Sequence, residues 1–425
     1  MPTESIAPTI KALLENLLHT PIPIRLRAWD GSEAGPRDTP VLVVRHRRAL
    51  RRLLWQPNEL GLARAYVAGE IDVHGDLYDA LGRLAALLWQ ASDIGRPPVR
   101  AVARDLLRLG ILGTPPKPPP EEIALSGTRH SKRRDSQAIS HHYDVGNDFY
   151  RIVLGPSMVY SCGYWTSTDA GYDLAAAQRD KLDLICRKLE LRPGMRLLDV
   201  GCGWGSLALH AAREYGVQVV GITLSTEQAD FARKQVAEAG LTGQVEIRIQ
   251  DYRDLDDGPF DAISSIGMAE HVGTGPYGEY AAILFRQLRP GGRLLNHQIA
   301  AIHPQPKPGR SFIDAYVFPD GELAPIGTTV SVLEEAGFEV RDVQALREHY
   351  ARTLRAWVTN LMAGWSTAVR LTSPGRARVW RLYMTASALA FEQGRIGVNQ
   401  VLAVKTHRGG ASDMPPTRAG WLETR

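Results

Sequence analysis

The segment LLDVGCGWGSLALHAA (197–212) constrains the chain more than any other. Apolar residues lead into Asp199, and Gly201, Gly203 and Gly205 follow at alternate positions before a helix-periodic run. Glycines at this spacing permit a tight turn and let backbone N–H groups approach a ligand at a helix N-terminus. A bare turn needs one glycine rather than three, and the loop lies between a strand and a helix, as a ligand loop requires. The dinucleotide pattern G-x-G-x-x-G fails because Ser206 stands at its last position, and a GK[ST] phosphate loop is absent. Around the loop strands and helices alternate: MRLLDVG, LALHAAREY, VQVVGITL, EQADFARKQVAEAG, VEIRIQDY, FDAISSIGM, a helix to Leu288, and GGRLLNHQIA. Near-continuous apolar strands in a β-α-β-α order predict a buried parallel sheet in an α/β domain.

The chain's 425 residues are enough for two or three domains. Residues 1–112 read as a small α+β domain: a helical pattern of Ile10, Leu13, Leu14, Leu17 and Leu18, the β-like runs IPIRLRAW and VLVVRH, then amphipathic helices. Residues 113–136, proline-rich and then basic, read as an exposed linker, 137–408 as the α/β domain, and 409–425 as a loose tail. With 44% hydrophobic and 23% charged residues, a mostly disordered chain is excluded. The net charge of +4 is too mild to specify a nucleic-acid or anionic partner, so the placement of charge must be read instead. Cys162, Cys186 and Cys202 form no C-x-x-C pair, which argues against a cysteine zinc site or a disulfide framework and fits a reducing cytoplasm. No apolar run approaches the roughly 18–20 residues of a membrane span. The acidic Glu4 and Glu15 and the lack of a basic n-region argue against a signal peptide.

The D-x-G-x-G-x-G form resembles the S-adenosylmethionine site of class I methyltransferases, in which the glycines face the methionine portion. The next strand end in that family offers an acid to the ribose. Here GITLSTEQ has none before Glu227, which puts Thr223 and Gln228 in that place. Five further segments, ISHHYDVGNDFY (139–150), MVYSCGYW (158–165), QDYRDL (250–255), GMAEHVG (267–273) and EHYARTLRAW (348–357), resemble the cyclopropane-fatty-acyl-phospholipid synthases and the related mycolic acid cyclopropane synthases. The resemblance covers 137–408 closely and the N-terminal zone more loosely. It implies a class I, Rossmann-like methyltransferase domain joined to a smaller N-terminal α+β domain of lipid-binding type. It also implies transfer of the methyl carbon of S-adenosylmethionine to the cis double bond of a phospholipid acyl chain, forming a cyclopropane. Matched motif to motif, Tyr160, Ser161, Asp199, Gly201, Gly203, Gly205, Thr223, Gln228, Asp251 and Tyr252 are the implied cofactor contacts. A bound bicarbonate is the implied base, held by Glu270, His297 and Tyr350 and by the backbones of Cys162 and Ile299. Tyr160, Tyr164, Trp165 and Tyr316 offer π faces to a cation. His141 and His142 read as part of a lid segment near the cofactor.

Each residue has a plainer reading. Cys162 is equally a small buried hydrophobe, Glu270 a strand-end carboxylate capping the next helix, His297 a structural histidine, and Tyr350 a packed tyrosine. The late-helix cysteine of the family is matched here by Ser387, so a thiol mechanism is not expected. Three basic groups, Arg96/Arg100/Arg104/Arg108, Arg45/Arg47/Arg48/Arg51/Arg52 and Arg129/Lys132/Arg133/Arg134, favour an anionic membrane surface over solvated faces. The expected partner is therefore unsaturated phospholipid at the inner face of the cell membrane, with the enzyme cytoplasmic and peripheral. A homodimer is allowed, and nucleic acid is not expected because no binding motif is present. The rivals are a methylene- or methyl-branched product from the same first step, a small-molecule methyltransferase, and a non-catalytic lipid-binding protein.

Overall fold

The computed structural model describes residues 5–90, 105–123, 128–135, 137, 145–302 and 310–419. The chain divides into two compact units. The first comprises residues 1–124 together with 308–317 and 372–389, and the second the remainder. This differs from the contiguous division expected above, because two short segments of the late chain pack with the N-terminal part.

In the first unit a four-stranded sheet runs in the order β2-β1-β3-β4, formed by β1 (Arg25–Arg27), β2 (Glu33–Ala34), β3 (Val41–Val44) and β4 (Ile71–His74). The helix Ile6–Leu18 ends at His19 in a left-handed conformation (φ 52°), before Pro21. Asn58 caps the helix Glu59–Val67 by accepting from the Leu60 and Gly61 N–H groups. The proline segment is mostly exposed over 113–120, but it is anchored along its length. Arg52 donates to the Lys117 carbonyl, Arg64 forks onto Glu122, and Ile123 is buried with its N–H on the Ala315 carbonyl. Prolines lack N–H groups that need partners, so such a segment packs without unpaired donors.

The second unit is a seven-stranded sheet of order β10-β11-β9-β8-β5-β6-β7. Its strands are β5 (Arg196–Val200), β6 (Gln218–Thr223), β7 (Val245–Ile249), β8 (Phe260–Ile266), β9 (Leu288–Ala301), β10 (Glu339–Ala345) and β11 (Ile396–Val404). β5 to β9 pair in parallel, as expected, but β11 inserts antiparallel between β9 and β10. Two apolar cores, one containing Leu197, Val219 and Ala211 and the other Leu198, Ile263 and Leu284, place successive strand residues in different layers. β9 is the longest strand and extends beyond the carboxyl end of β8, since the last β8–β9 pair is Ile266 with His297. The tail is not loose through Arg418: His407 bonds Asp413, and Arg418 pairs with the buried Asp342.

Two basic groups are largely consumed within their own units. Arg45 pairs with Asp72, Arg48 and Arg52 with Glu70, Arg129 and Arg134 with Asp320, and Lys132 with Asp254. Arg96, Arg100, Arg104, His141 and His142 lie outside the described residues.

Candidate active site

Every residue named above for the cofactor or the anion falls in the second unit. Gly201, Gly203, Gly205, Asp251, Tyr252 and Glu270 follow the carboxyl ends of β5, β7 and β8. Asp199, Thr223, His297 and Ile299 lie in β5, β6 and β9, and Tyr160–Cys162, Gln228 and Tyr350 come from segments outside the strands. The chain leaves β5 through Gly201, Gly203 and Gly205, all at positive φ (77°, 55° and 81°), and enters the helix Ser206–Tyr215. The glycines have different reasons. A Cβ at Gly201 would lie 2.4 Å from the Met268 side chain, and one at Gly205 would lie 2.9 Å from Ala232. A Cβ at Gly203 would meet nothing within 4 Å. Gly203 therefore borders the open space, where the loop can approach a ligand. At the end of β6, Thr223 and Gln228 are both buried and bonded to each other at 2.9 Å. After β7, Asp251 accepts three bonds from Arg253, which hold its carboxyl below the usual range against the opposing effect of burial. Tyr252 packs edge-on against Tyr280.

Asp199 sits behind the loop rather than on its open side. It is buried, accepts from Ser264 at 2.7 Å, and is pushed up to about 6 by loss of water. Near it lies a residue the sequence reading missed. Lys181, on the helix Leu174–Lys188, is 2% exposed and donates to Ser161 Oγ at 3.0 Å. Burial lowers its ammonium to about 8, with the negative charge of Asp199 opposing the shift. Gln178, one turn earlier, donates to the Ser161 carbonyl at 2.9 Å. The Tyr160–Cys162 loop is thus held from beneath by two buried side chains. A lysine in an amphipathic helix looks like a solvated residue, which is why sequence alone did not reveal it.

The other side of the site is Glu270 and His297. Glu270 lies in the one-turn helix Ala269–Val272 after β8, not in the strand. Its Oε1 accepts the Ile299 N–H at 2.7 Å, so the Ile299 backbone, expected at the anion, aims the carboxylate. Its Oε2 is buried without a partner, and burial raises the carboxyl to about 7. His297 lies within β9, and Nδ1 is 3.3 Å from the Gln400 side-chain nitrogen across the antiparallel pair. With the Gln400 amide nitrogen as donor, Nδ1 accepts and the proton sits on Nε2, which is buried and unpartnered. Burial depresses the imidazole to about 3, so it is neutral at physiological pH. Cys162 is fully buried, with its thiol pushed up by desolvation and directed to the Gly163 and Leu346 carbonyls. It is not poised as a nucleophile.

Aromatic rings join these parts. Trp204 of the glycine loop packs on Tyr150 (4.6 Å between centroids), Tyr150 on Tyr160 (5.7 Å), Tyr160 on Trp357 (5.3 Å), and Trp357 on Tyr350 (6.0 Å). Of the π faces expected for a cation, Tyr160 belongs to this wall. Trp165 already carries the Arg352 guanidinium at 4.5 Å, and Tyr164 stacks on His349. Tyr316 belongs to the first unit, where its hydroxyl donates to Glu122 and its ring packs on Phe312.

The second unit thus holds an open glycine turn together with buried, unpartnered side-chain atoms of Glu270 and His297. The family model described as mycolic acid cyclopropane synthetase matches residues 130–401. The chain belongs to this family. A probable fatty acid methyltransferase of Mycobacterium tuberculosis is 43% identical over 94% of this chain and 95% of its own length. The cyclopropane-fatty-acyl-phospholipid synthase of Escherichia coli is 38% identical over 70% of this chain and 76% of its own. Mycolic acid cyclopropane synthase CmaA1, solved with S-adenosylhomocysteine and CTAB, superposes with a TM-score of 0.59 at 36% identity, covering 63% of this chain and 97% of that one. The family member described here is a class I S-adenosylmethionine-dependent methyltransferase, with S-adenosylmethionine as co-substrate.

Proposed function

We propose that the enzyme transfers the methyl carbon of S-adenosylmethionine to the cis double bond of an unsaturated phospholipid acyl chain and closes a cyclopropane ring. The observation that carries this reading is the buried, unpartnered pair of Glu270 Oε2 and His297 Nε2, in the same unit as the open glycine turn and the aromatic wall. The names of the relatives, a fatty acid methyltransferase and an acyl-phospholipid synthase, support the acyl acceptor.

The alkene π electrons form a bond to the methyl carbon as the S–CH3 bond breaks, releasing S-adenosylhomocysteine and leaving a cation on the chain. Loss of a proton from the transferred methyl then supplies the electron pair that closes the ring. A buried orphan acceptor and a buried orphan donor near the carboxyl end of β8, where Ile266 pairs with His297, fit a small anion with its own O–H. We assign bicarbonate to this place, held by Glu270, His297, Tyr350 and the Cys162 backbone, with the Ile299 N–H aiming the Glu270 carboxylate rather than meeting the anion itself. When bound, bicarbonate supplies a base of moderate strength. The chain's own residues then have separate tasks. Glu270 accepts a hydrogen bond, the neutral His297 donates one, and the rings of Tyr160, Trp357 and Tyr350 offer π faces and exclude water that would capture the cation.

No helix among the described residues is long and apolar enough to cross a membrane. The test is incubation with methyl-labelled S-adenosylmethionine and unsaturated phospholipid, followed by mass spectrometry and NMR of the acyl chains. The reading expects labelled chains with cyclopropane ring protons. Labelled chains with vinylic methylene or branched methyl signals would replace the ring-closing step, and no labelled lipid would overturn the acceptor.

A further inference from the structure

The first unit carries an exposed apolar patch that the catalytic reading does not use. Of ten large hydrophobic side chains that stand exposed among the described residues, four gather here: Leu54 (40%), Trp55 (56%), Leu107 (67%) and Leu112 (49%). Contacts tie their two segments together. Trp55 Nε1 donates to the Gly113 carbonyl at 2.9 Å, and Arg51 Nε donates to the Ile111 carbonyl at 3.1 Å.

The charges around the patch are sorted by face. Arg45, Arg48 and Arg52 are neutralised by Asp72 and Glu70. Arg47 and Arg51 pair with no described carboxylate, and they share a helical stripe with Leu54 and Trp55 by their four- and seven-residue spacing. Uncompensated arginines beside exposed leucines and a fixed tryptophan match the layering of a bilayer surface, in which anionic phosphates lie above the acyl boundary. A second copy of the chain fits worse. A two-fold contact here would bring the uncompensated arginines of both copies together in a drying interface.

We propose that Leu54, Trp55, Leu107 and Leu112 insert into the surface of an anionic bilayer, with Arg47 and Arg51 at its phosphates. The inference rests on a membrane phospholipid acceptor and adds the surface by which the enzyme reaches it.

The experiment uses the full chain and vesicles of phosphatidylglycerol or phosphatidylcholine, with binding read by co-sedimentation. The triple variant Leu54→Gln, Leu107→Gln, Leu112→Gln should bind phosphatidylglycerol vesicles about tenfold or more weakly, because each leucine loses its apolar transfer. The loss should persist at high salt. Arg47→Gln should weaken binding only at low salt, where screening is slight. Both variants should keep parent turnover on detergent-dispersed unsaturated phospholipid. As a second measurement, Leu107→Cys labelled with an environment-sensitive dye should blue-shift on adding phosphatidylglycerol vesicles. The native cysteines are buried, so the label goes to the new site.

Parent-like vesicle binding by the triple variant, with no blue shift, overturns the proposed surface. Loss of turnover on dispersed lipid shows a structural role and also overturns it. A vesicle-free change from dimer to monomer in the triple variant assigns the patch to self-association instead. A parent that methylates dispersed lipid but binds no vesicle refutes this inference while leaving the proposed reaction standing. A parent that binds vesicles but methylates no acyl chain refutes the reaction and leaves the surface.

Discussion

Replacing Glu270 by Gln separates activity from stability in one variant. The amide keeps the shape, and its oxygen can still accept the Ile299 N–H now held by Oε1 at 2.7 Å. The unpartnered Oε2 becomes an NH2 group, so an acceptor is exchanged for a donor at the reacting side. If that acceptor orients the proton-removing anion, turnover should fall by about 10²–10⁴, the usual range for acid–base assistance, with S-adenosylmethionine affinity nearly unchanged. Turnover of the parent should rise with pH through about 7, where the carboxyl ionises, and the variant should lose that limb. Stability moves the opposite way. Burial raises the carboxyl from 4.5 to about 7, so between those values the unfolded chain has released a proton that the folded one retains. The parent therefore loses stability relative to the Gln variant as pH rises across this window, by about 2–3 kcal/mol between about pH 5 and pH 8. Urea midpoints at the two pH values give the second quantity, and steady-state kinetics with calorimetry of the co-substrate give the first. A variant with parent turnover and no change in the pH dependence of either would refute both the buried carboxylate and its role.

Gly203→Val places a branched side chain in the open space of the glycine turn and also strains a φ of 55°, so S-adenosylmethionine binding should be lost while circular dichroism shows a folded protein. Unchanged calorimetric affinity in the folded variant would move the cofactor elsewhere. Lys181→Met removes a charged donor to Ser161 and should reduce kcat/KM for S-adenosylmethionine about tenfold. Because the folded-state value is lowered from 10.5 to about 8, the parent should also gain stability over this variant as pH rises through that interval, a difference that denaturation at about pH 7.5 and pH 10 measures. Iodoacetamide should leave both turnover and Cys162 unmodified under native conditions, as peptide mass spectrometry can check, since that thiol is buried and held protonated.

The glycine turn was legible because it is local: three glycines, an incoming strand and an outgoing helix are neighbours in sequence. The parallel part of the sheet followed from the β-α rhythm for the same reason. The insertion of β11 between β9 and β10 was not legible, because an apolar run records that a strand is buried but not which strands flank it. Glu270 and His297 were singled out through motifs. That Ile299 aims one oxygen of Glu270 depends on a pairing across 29 positions, which no motif spells out. The aromatic wall was only half seen, since Tyr150, Trp204 and Trp357 come together from three distant segments. The arginine groups misled in the opposite sense. Charge was visible in the sequence, but its neutralisation by Glu70, Asp72 and Asp320 depends on folding.

The protonation states around the site bear on the proposed chemistry more than any single contact. Methyl transfer from a sulfonium to an alkene moves a positive charge from sulfur to carbon without creating one. A strong fixed anion beside the new cation would risk capturing it by forming an ester, whereas an exposed pocket would let water do so. Burial avoids both. It keeps His297 neutral and the Cys162 thiol protonated, and it holds Glu270 near half-ionisation at neutral pH. Polarisable ring faces offer the remaining stabilisation, and these attract a cation without bonding to it. The same desolvation that raises Glu270 strengthens its hold on a proton, so at neutral pH it exchanges one readily with a neighbouring anion, which suits a group that must orient a base rather than become the nucleophile.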